Sequence, residues 1–183
     1  AICTKKIEVS VVVLSYNRLE KTKQCVESIL RYTKNINYEL VLIDNGSTDE
    51  TLSYFDSVQH PHKTIRHISK NIGSNFGERL AMSNLQGRYI AMVTNDVVVT
   101  ANWLDNLLTC LKSDPTIGFV APVSSNVSNL QQVDLSFHTL EQMHKQAALF
   151  NQSNPQKWEE RLRLINIVTV LKKEVIDNVG YID

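Results

Sequence analysis

Residues 88–100 read Arg-Tyr-Ile-Ala-Met-Val-Thr-Asn-Asp-Val-Val-Val-Thr, and this stretch limits the fold more than any other. Gly87 punctuates its start, and 89–93 form an apolar run suited to a strand buried on both faces. The run ends in Asn95-Asp96. A carboxylate at the end of a buried strand is costly unless something compensates it. In open α/β sheets that strand end is also where ligands bind. Asp96 therefore either faces a cation or ligand, or simply opens a turn, as Asn-Asp pairs often do.

Upstream, the pattern alternates. The β-branched run 7–15 predicts a strand with a continuously apolar centre, closed by Tyr16-Asn17-Arg18. Residues 19–33 carry Leu19, Thr22, Val26, Ile29 and Leu30 at helical spacing. A second strand is expected over 38–43, running into Asp44-Asn45-Gly46-Ser47-Thr48-Asp49. Ser47, Thr48 or Asp49 is placed to cap the helix that follows. A short strand at 65–69, a turn at 71–74 and a helix at 76–85 lead to the strand that ends at Asp96. This β-α-β-α-β-α-β order implies a parallel sheet with right-handed crossovers. Asp44 and Asp96 then fall on one edge of it. Further on come a helix at 103–111 led by Asn102, a strand at 117–121 and a long polar loop at 124–136. A helix at 140–150, a late strand at 162–171 and a short helix at 172–179 complete the chain. A structureless loop of that length more often serves function than not.

The 183 residues suit one domain, read as a nucleotide-binding half at about 7–123 and an incomplete acceptor-side half at about 124–183. Charges balance at 19 basic and 19 acidic residues, which gives no electrostatic case for nucleic acid or an anionic membrane surface. Cys3, Cys25 and Cys110 are too widely spaced for a zinc site, and read as reduced thiols of a cytoplasmic protein. No run is long enough to span a bilayer, and no signal-peptide pattern opens the chain. The five histidines form no metal pattern; His60 and His62 read as solvated, and His138 and His144 fall in the segment expected to cover the site.

Each candidate site residue has a functional and a structural reading. Tyr16 can stack on a base, and Ser15, Asn17 or Arg18 can touch ribose or phosphate; an ordinary strand-to-helix turn needs the same residues. Asp44 can accept from an imide N–H, as in uracil or thymine, or can cap a helix. Asn71 and Gly73 can bring backbone close to a phosphate. Arg79 can meet a diphosphate or remain a solvated helical arginine. The glycine-rich phosphate loops are missing, so a diphosphate needs another source of positive charge. A divalent cation, Mg²⁺ or Mn²⁺, held by Asp96 and phosphate oxygens supplies it.

Taken in order, Val11-Val12-Val13-Leu14-Ser15-Tyr16-Asn17-Arg18, Val41-Leu42-Ile43-Asp44-Asn45-Gly46-Ser47-Thr48-Asp49, Asn71-Ile72-Gly73 and Gly87-Arg88-Tyr89-Ile90 leading to Asn95-Asp96, with Trp103-Leu104 behind, resemble the family 2 inverting glycosyltransferases of the GT-A fold. Gly180-Tyr181-Ile182-Asp183 resembles the family's Gly-x-Phe-Asp segment. The resemblance implies a nucleotide-sugar donor, UDP- or dTDP-linked, bound by Ser15, Tyr16, Asn17, Arg18, Asp44, Asn45, Asn71, Gly73, Arg79 and Asn95. Within that set Tyr16 lies by the base, Asp44 binds the pyrimidine ring, Asn95 contacts the ribose, and Asp96 binds the metal. The acceptor is a glycan or a lipid-linked hydroxyl, through which the domain can associate with a membrane. Asn95 departs from the family's acidic pattern. The family's catalytic base follows the Gly-x-Phe-Asp segment, so a truncated domain is expected that binds donor but transfers poorly. A non-catalytic nucleotide- or sugar-binding module is the alternative.

Overall fold

A computed structural model of the chain describes residues 6–73, 79 and 82–180. Strands β1 (Val9–Ser15), β2 (Tyr38–Asn45), β3 (Lys63–Ile68), β4 (Tyr89–Thr94), β5 (Phe119–Val120) and β6 (Val168–Lys172) form one sheet in the order β3-β2-β1-β4-β6-β5. The helices are α1 (Leu19–Tyr32), α2 (Thr51–Ser57), α3 (Trp103–Ser113), α4 (Leu140–Phe150) and α5 (Lys173–Val179). The first four strands are mutually parallel, as the alternation of elements predicts. The late strand is shorter than the apolar run suggests and runs antiparallel to both β4 and β5.

Two apolar layers sandwich the sheet. Val9, Val11 and Val13 of β1 join Leu40 and Leu42 of β2 against Val26 and Ile29 of α1 and Phe55 of α2. Their alternates Val12, Val41, Ile43 and Ile90 pack on the opposite face with Met82, Leu85 and Leu171. Each such side chain contributes about 1.5–3 kcal/mol on burial, which is why strands covered on both faces hold the centre.

A polar device fastens the edge of the sheet where the strands begin. Glu39, only 3% exposed, accepts from the Ser10 hydroxyl (2.5 Å) and the Gln86 N–H (2.6 Å), and its other oxygen accepts from the Gln86 amide (3.2 Å). The Gly87 N–H donates to Ser10 Oγ (3.0 Å). This network ties the chain entering β4 to β1 and β2.

The polar loop at 124–136 closes on itself. Ser124 and Val133 exchange backbone bonds with Gln131 and Ser124, at 2.9 Å each. Buried Gln131 accepts from the Ile165 N–H (2.6 Å) and donates to the Pro122 carbonyl (3.1 Å), so the loop is bound to the segment that leads into β6.

Several expectations need correction. Residues 82–84 form a turn, with Asn84 at φ 59°, so no helix reaches Leu85. Apart from Arg79, the rest of the helix expected from 76 lies outside the described residues, as do Cys3 and Tyr181-Ile182-Asp183. Asn102 precedes α3 in a left-handed conformation, φ 62°, and its side chain caps nothing. His60 is half-buried, its ring tilted against Tyr38 (centroids 4.5 Å apart), and burial lowers its pKa from the usual histidine value. No helix among the described residues is long and apolar enough to cross a membrane.

Candidate functional site

The four parallel strands deliver their carboxyl ends to one edge, where the loops after β1, β2 and β4 are stitched together. Asn17 is the knot. Its N–H donates to Ser47 Oγ (2.8 Å), its Oδ1 accepts from the Thr48 N–H (2.8 Å), and its carbonyl accepts from Asn95 Nδ2 (3.2 Å). Asn95 also donates to Thr22 of α1 (2.9 Å). Asn17 and Arg18 both have positive φ, 54° and 61°. A left-handed arginine costs about 1–2 kcal/mol, and the surrounding bonds hold it there. Such strain is characteristic of functional turns.

Asp49 clamps two helices at once. One oxygen accepts from the Leu19 N–H at the start of α1 (3.0 Å), the other from the Thr51 N–H (3.1 Å) and hydroxyl (2.6 Å) at the start of α2. Burial pushes its carboxyl up, but the Thr51 and Leu19 bonds outweigh that and hold it below the usual carboxylate value.

A cavity of about 280 Å³ opens beside this knot. Val12, Leu14 and Met92 give it an apolar floor. Tyr16, 44% exposed, stands over one side with Asn45, Asn71 and Gly73; Thr94, Asn95 and Asn166 line the other. Asn45 pins the 71–73 loop, donating to Asn71 Oδ1 and the Gly73 carbonyl (3.1 Å each) and accepting from the Ile72 N–H (3.2 Å). Beyond Thr94, whose hydroxyl lies 3.0 Å from Asp96 Oδ1, the other Asp96 oxygen sits 3.6 Å from Arg18 Nη1.

The strand's two-residue period sets Asp44 apart from the cavity. Asp44 and Asn45 project to opposite faces, and the cavity is on the Asn45 side. Asp44 is fully buried and does not line the cavity: its oxygens take the Ser47 N–H (3.0 Å) and lie 2.8 Å from His67 Nδ1. Ser15 shares that face, buried, its hydroxyl without a protein partner among the described residues. Tyr16, Asn45, Asn71, Gly73 and Asn95 are brought together at the cavity, with Arg18 and Asp96 paired beyond Thr94. Arg79 is exposed on a separate segment. Asn166 was missed because it falls inside the apolar run read as strand.

Other reactive groups are spent elsewhere. The Cys25 thiol is pushed up to about 12, by burial first and by the charge of Asp96 second, so it stays protonated. His138 and His144 do not line this cavity. His144 stacks near Tyr32 (4.9 Å) beside a separate space between α1 and α4, with burial and then Arg31 lowering its pKa.

Asp96 is the expected cation ligand. No group of three or more metal-ligating side chains occurs among the described residues. Asp96 is half exposed and its pairing with Arg18 is long and solvated. One carboxylate of that sort fits Mg²⁺ or Mn²⁺, which keep waters and take further oxygens from a substrate phosphate.

Comparison with known proteins bears on the fold and the family. The family described as glycosyl transferase family 2 matches residues 10–170. The chain is 26% identical over 186 residues to the glycosyltransferase GlyG of Streptococcus pneumoniae serotype 4, covering 94% of this chain and 59% of that protein. It is 30% identical over 111 residues to an uncharacterized glycosyltransferase of Haemophilus influenzae, covering 60% of this chain and 34% of that one. Among solved structures, the mannosyltransferase PcManGT from Pyrobaculum calidifontis, in complex with GDP-Man and Mn²⁺, superposes with a TM-score of 0.71 at 19% identity over 98% of this chain. Residues 1–349 of S. aureus TarS give 0.67 at 16% identity over 96%. The chain spans 48% and 50% of those two structures, about half their length. The sheet is that of the GT-A fold, and with its family matched across residues 10–170, this chain belongs to glycosyl transferase family 2.

Proposed function

We propose that this domain binds a nucleoside diphosphate sugar across the strand ends and transfers the sugar, with inversion, to an acceptor hydroxyl on a glycan or lipid-linked carrier. The observation that carries this reading is the change of chemistry along the strand ends, from the cavity to the charged pair beside it. An aromatic and amide wall at Tyr16, Asn45 and Asn71 gives way to the charged couple of Arg18 and Asp96. In a single displacement the acceptor oxygen bonds to the anomeric carbon, the bond to the diphosphate breaks, and the acceptor proton passes to a base. A Mg²⁺ or Mn²⁺ ion on Asp96 would neutralise charge on the departing diphosphate. Arg18 adds a positive charge beside it. Asn95 and Asn17 keep the three loops in register, so that base and diphosphate sites hold their spacing.

The pyrimidine preference expected from Asp44 has no support from its buried position. Similar folds hold GDP-Man and UDP-GlcNAc, so both base classes belong in the test. One observation favours the second reading, a nucleotide-binding module without transfer: no carboxylate lines the cavity among the described residues. A cytoplasmic placement, with membrane association through the acceptor, accords with a donor that is a soluble nucleotide.

Thermal melts with UDP, dTDP, GDP and CDP, each with and without Mn²⁺, test the donor site. At a hundredfold excess over Kd, about 2.7 kcal/mol of stabilisation is expected, or about 5–10 °C for a domain of this size. The shift should depend on Mn²⁺ and vanish in Asp96→Ala. A shift of equal size in Asp96→Ala would remove Asp96 from the site, and no shift with any nucleotide would overturn the donor reading. Radiolabelled sugar transfer to acceptor, present or absent once binding is found, separates the two readings.

A further inference from the structure

We infer that Asn166 reads the transferred sugar of the donor, an assignment that rests on the donor-site reading above. From β2 to β6 the sheet crosses three inter-strand steps, about 14 Å in all. Along that line the chemistry changes twice. At β2 and β1 there is an aromatic ring with amides; bridging the ends of β1 and β4, outside the cavity lining, there is the Arg18–Asp96 couple; before β6 there is Asn166, with no charged side chain lining the cavity beside it. A nucleoside diphosphate sugar has the same sequence of characters, a planar base, a charged diphosphate and a neutral polyhydroxyl ring. Charge fixes the diphosphate near β4, and Tyr16 fixes the base on the β1–β2 side. The sugar is thereby directed toward β6.

The antiparallel course of β6 is what brings Asn166 there. Val168 pairs with Val93, and the Ile167 carbonyl accepts from the Thr94 N–H (3.0 Å), so the residue before it reaches the cavity wall beside Thr94. Asn166 is exposed, and its recorded bond is a long one, 3.5 Å to the Thr169 hydroxyl. An amide that offers donors and an acceptor together matches a sugar hydroxyl, which is both.

Isothermal titration in Mn²⁺ of the parent chain and Asn166→Ala tests this, with UDP and GDP set against UDP-GlcNAc, UDP-glucose and GDP-mannose. The variant should bind the free diphosphate within twofold of the parent. It should bind the matching nucleotide sugar about 2- to 10-fold more weakly, the worth of one neutral hydrogen bond. Because Asn166 is exposed, its melting temperature serves as the folding control. Equal weakening of both ligands, or of neither, overturns the assignment while leaving the donor site intact. A parent chain that binds no nucleoside diphosphate overturns the donor reading and this one with it.

Discussion

Gly46→Ala is expected to lower stability by about 3–5 kcal/mol and to abolish nucleotide binding. Gly46 has φ 78°, and a Cβ there would lie 2.5 Å from the backbone N of Asn71 and C of Lys70. Neither is the end of a flexible side chain, so the 70–73 loop itself must move. The left-handed conformation alone costs about 1–2 kcal/mol for a residue with a Cβ. Displacing the loop also breaks the three bonds from Asn45, at about 1 kcal/mol each. The cavity loses Asn71 and Gly73 as a wall in the same step. Gly73→Ala is the control. It shares a positive φ, 87°, but among the described residues its Cβ would meet nothing within 4 Å, so the conformational cost of about 1–2 kcal/mol is the one expected. Urea denaturation of both variants decides the matter: equal losses would mean that the loop does not rest on Gly46.

Glu39→Ala is expected to cost a similar amount, about 3–5 kcal/mol, but to leave the nucleotide affinity of the folded protein unchanged. Glu39 opens β2, at the sheet edge away from the crevice. Its removal leaves the buried Ser10 hydroxyl without its acceptor and takes away both bonds to Gln86, itself an exposed residue. Bonds to a charged acceptor are worth about 1.5–3 kcal/mol each and do not simply add. Glu39→Gln keeps one oxygen for Ser10 and the Gln86 N–H, and should cost only about 1–2 kcal/mol. A loss of under about 1 kcal/mol in Glu39→Ala would show that the network contributes nothing net. The contrast with Gly46 separates damage to the scaffold from damage to the site.

Much of the scaffold is legible in the residues themselves. α1 and α4 begin where their spacing says, and the parallel order of β1 to β4 follows from strands alternating with helices. What stays hidden is parity. A strand buried on both faces, such as Val41-Leu42-Ile43, has no apolar-polar alternation to tell which face each residue takes. At the strand end that ambiguity becomes a choice between Asp44 and Asn45, and a slip of one residue swaps them. Both belong to the expected donor set, and of the two Asn45 lines the cavity. Direction is hidden for the same reason: an apolar run looks alike whichever way it is threaded, so nothing in 162–171 announces that β6 turns back and carries Asn166 to the crevice. Glu39 read as an ordinary strand residue, because its partner Gln86 lies far along the chain. The left-handed pair Asn17-Arg18 lies in a predicted turn, but its strain depends on Ser47, Thr48 and Asn95, brought near only by the sheet.

The two outermost strands have a consequence for assembly. β3 carries Lys63, Arg66 and His67 among its six residues, and β5 is only two residues long. Charged and very short margins discourage a foreign strand from pairing with the open backbone of a sheet. Both margins of the described sheet therefore disfavour strand addition, and helical faces and loops are the easier surfaces for a neighbour to engage.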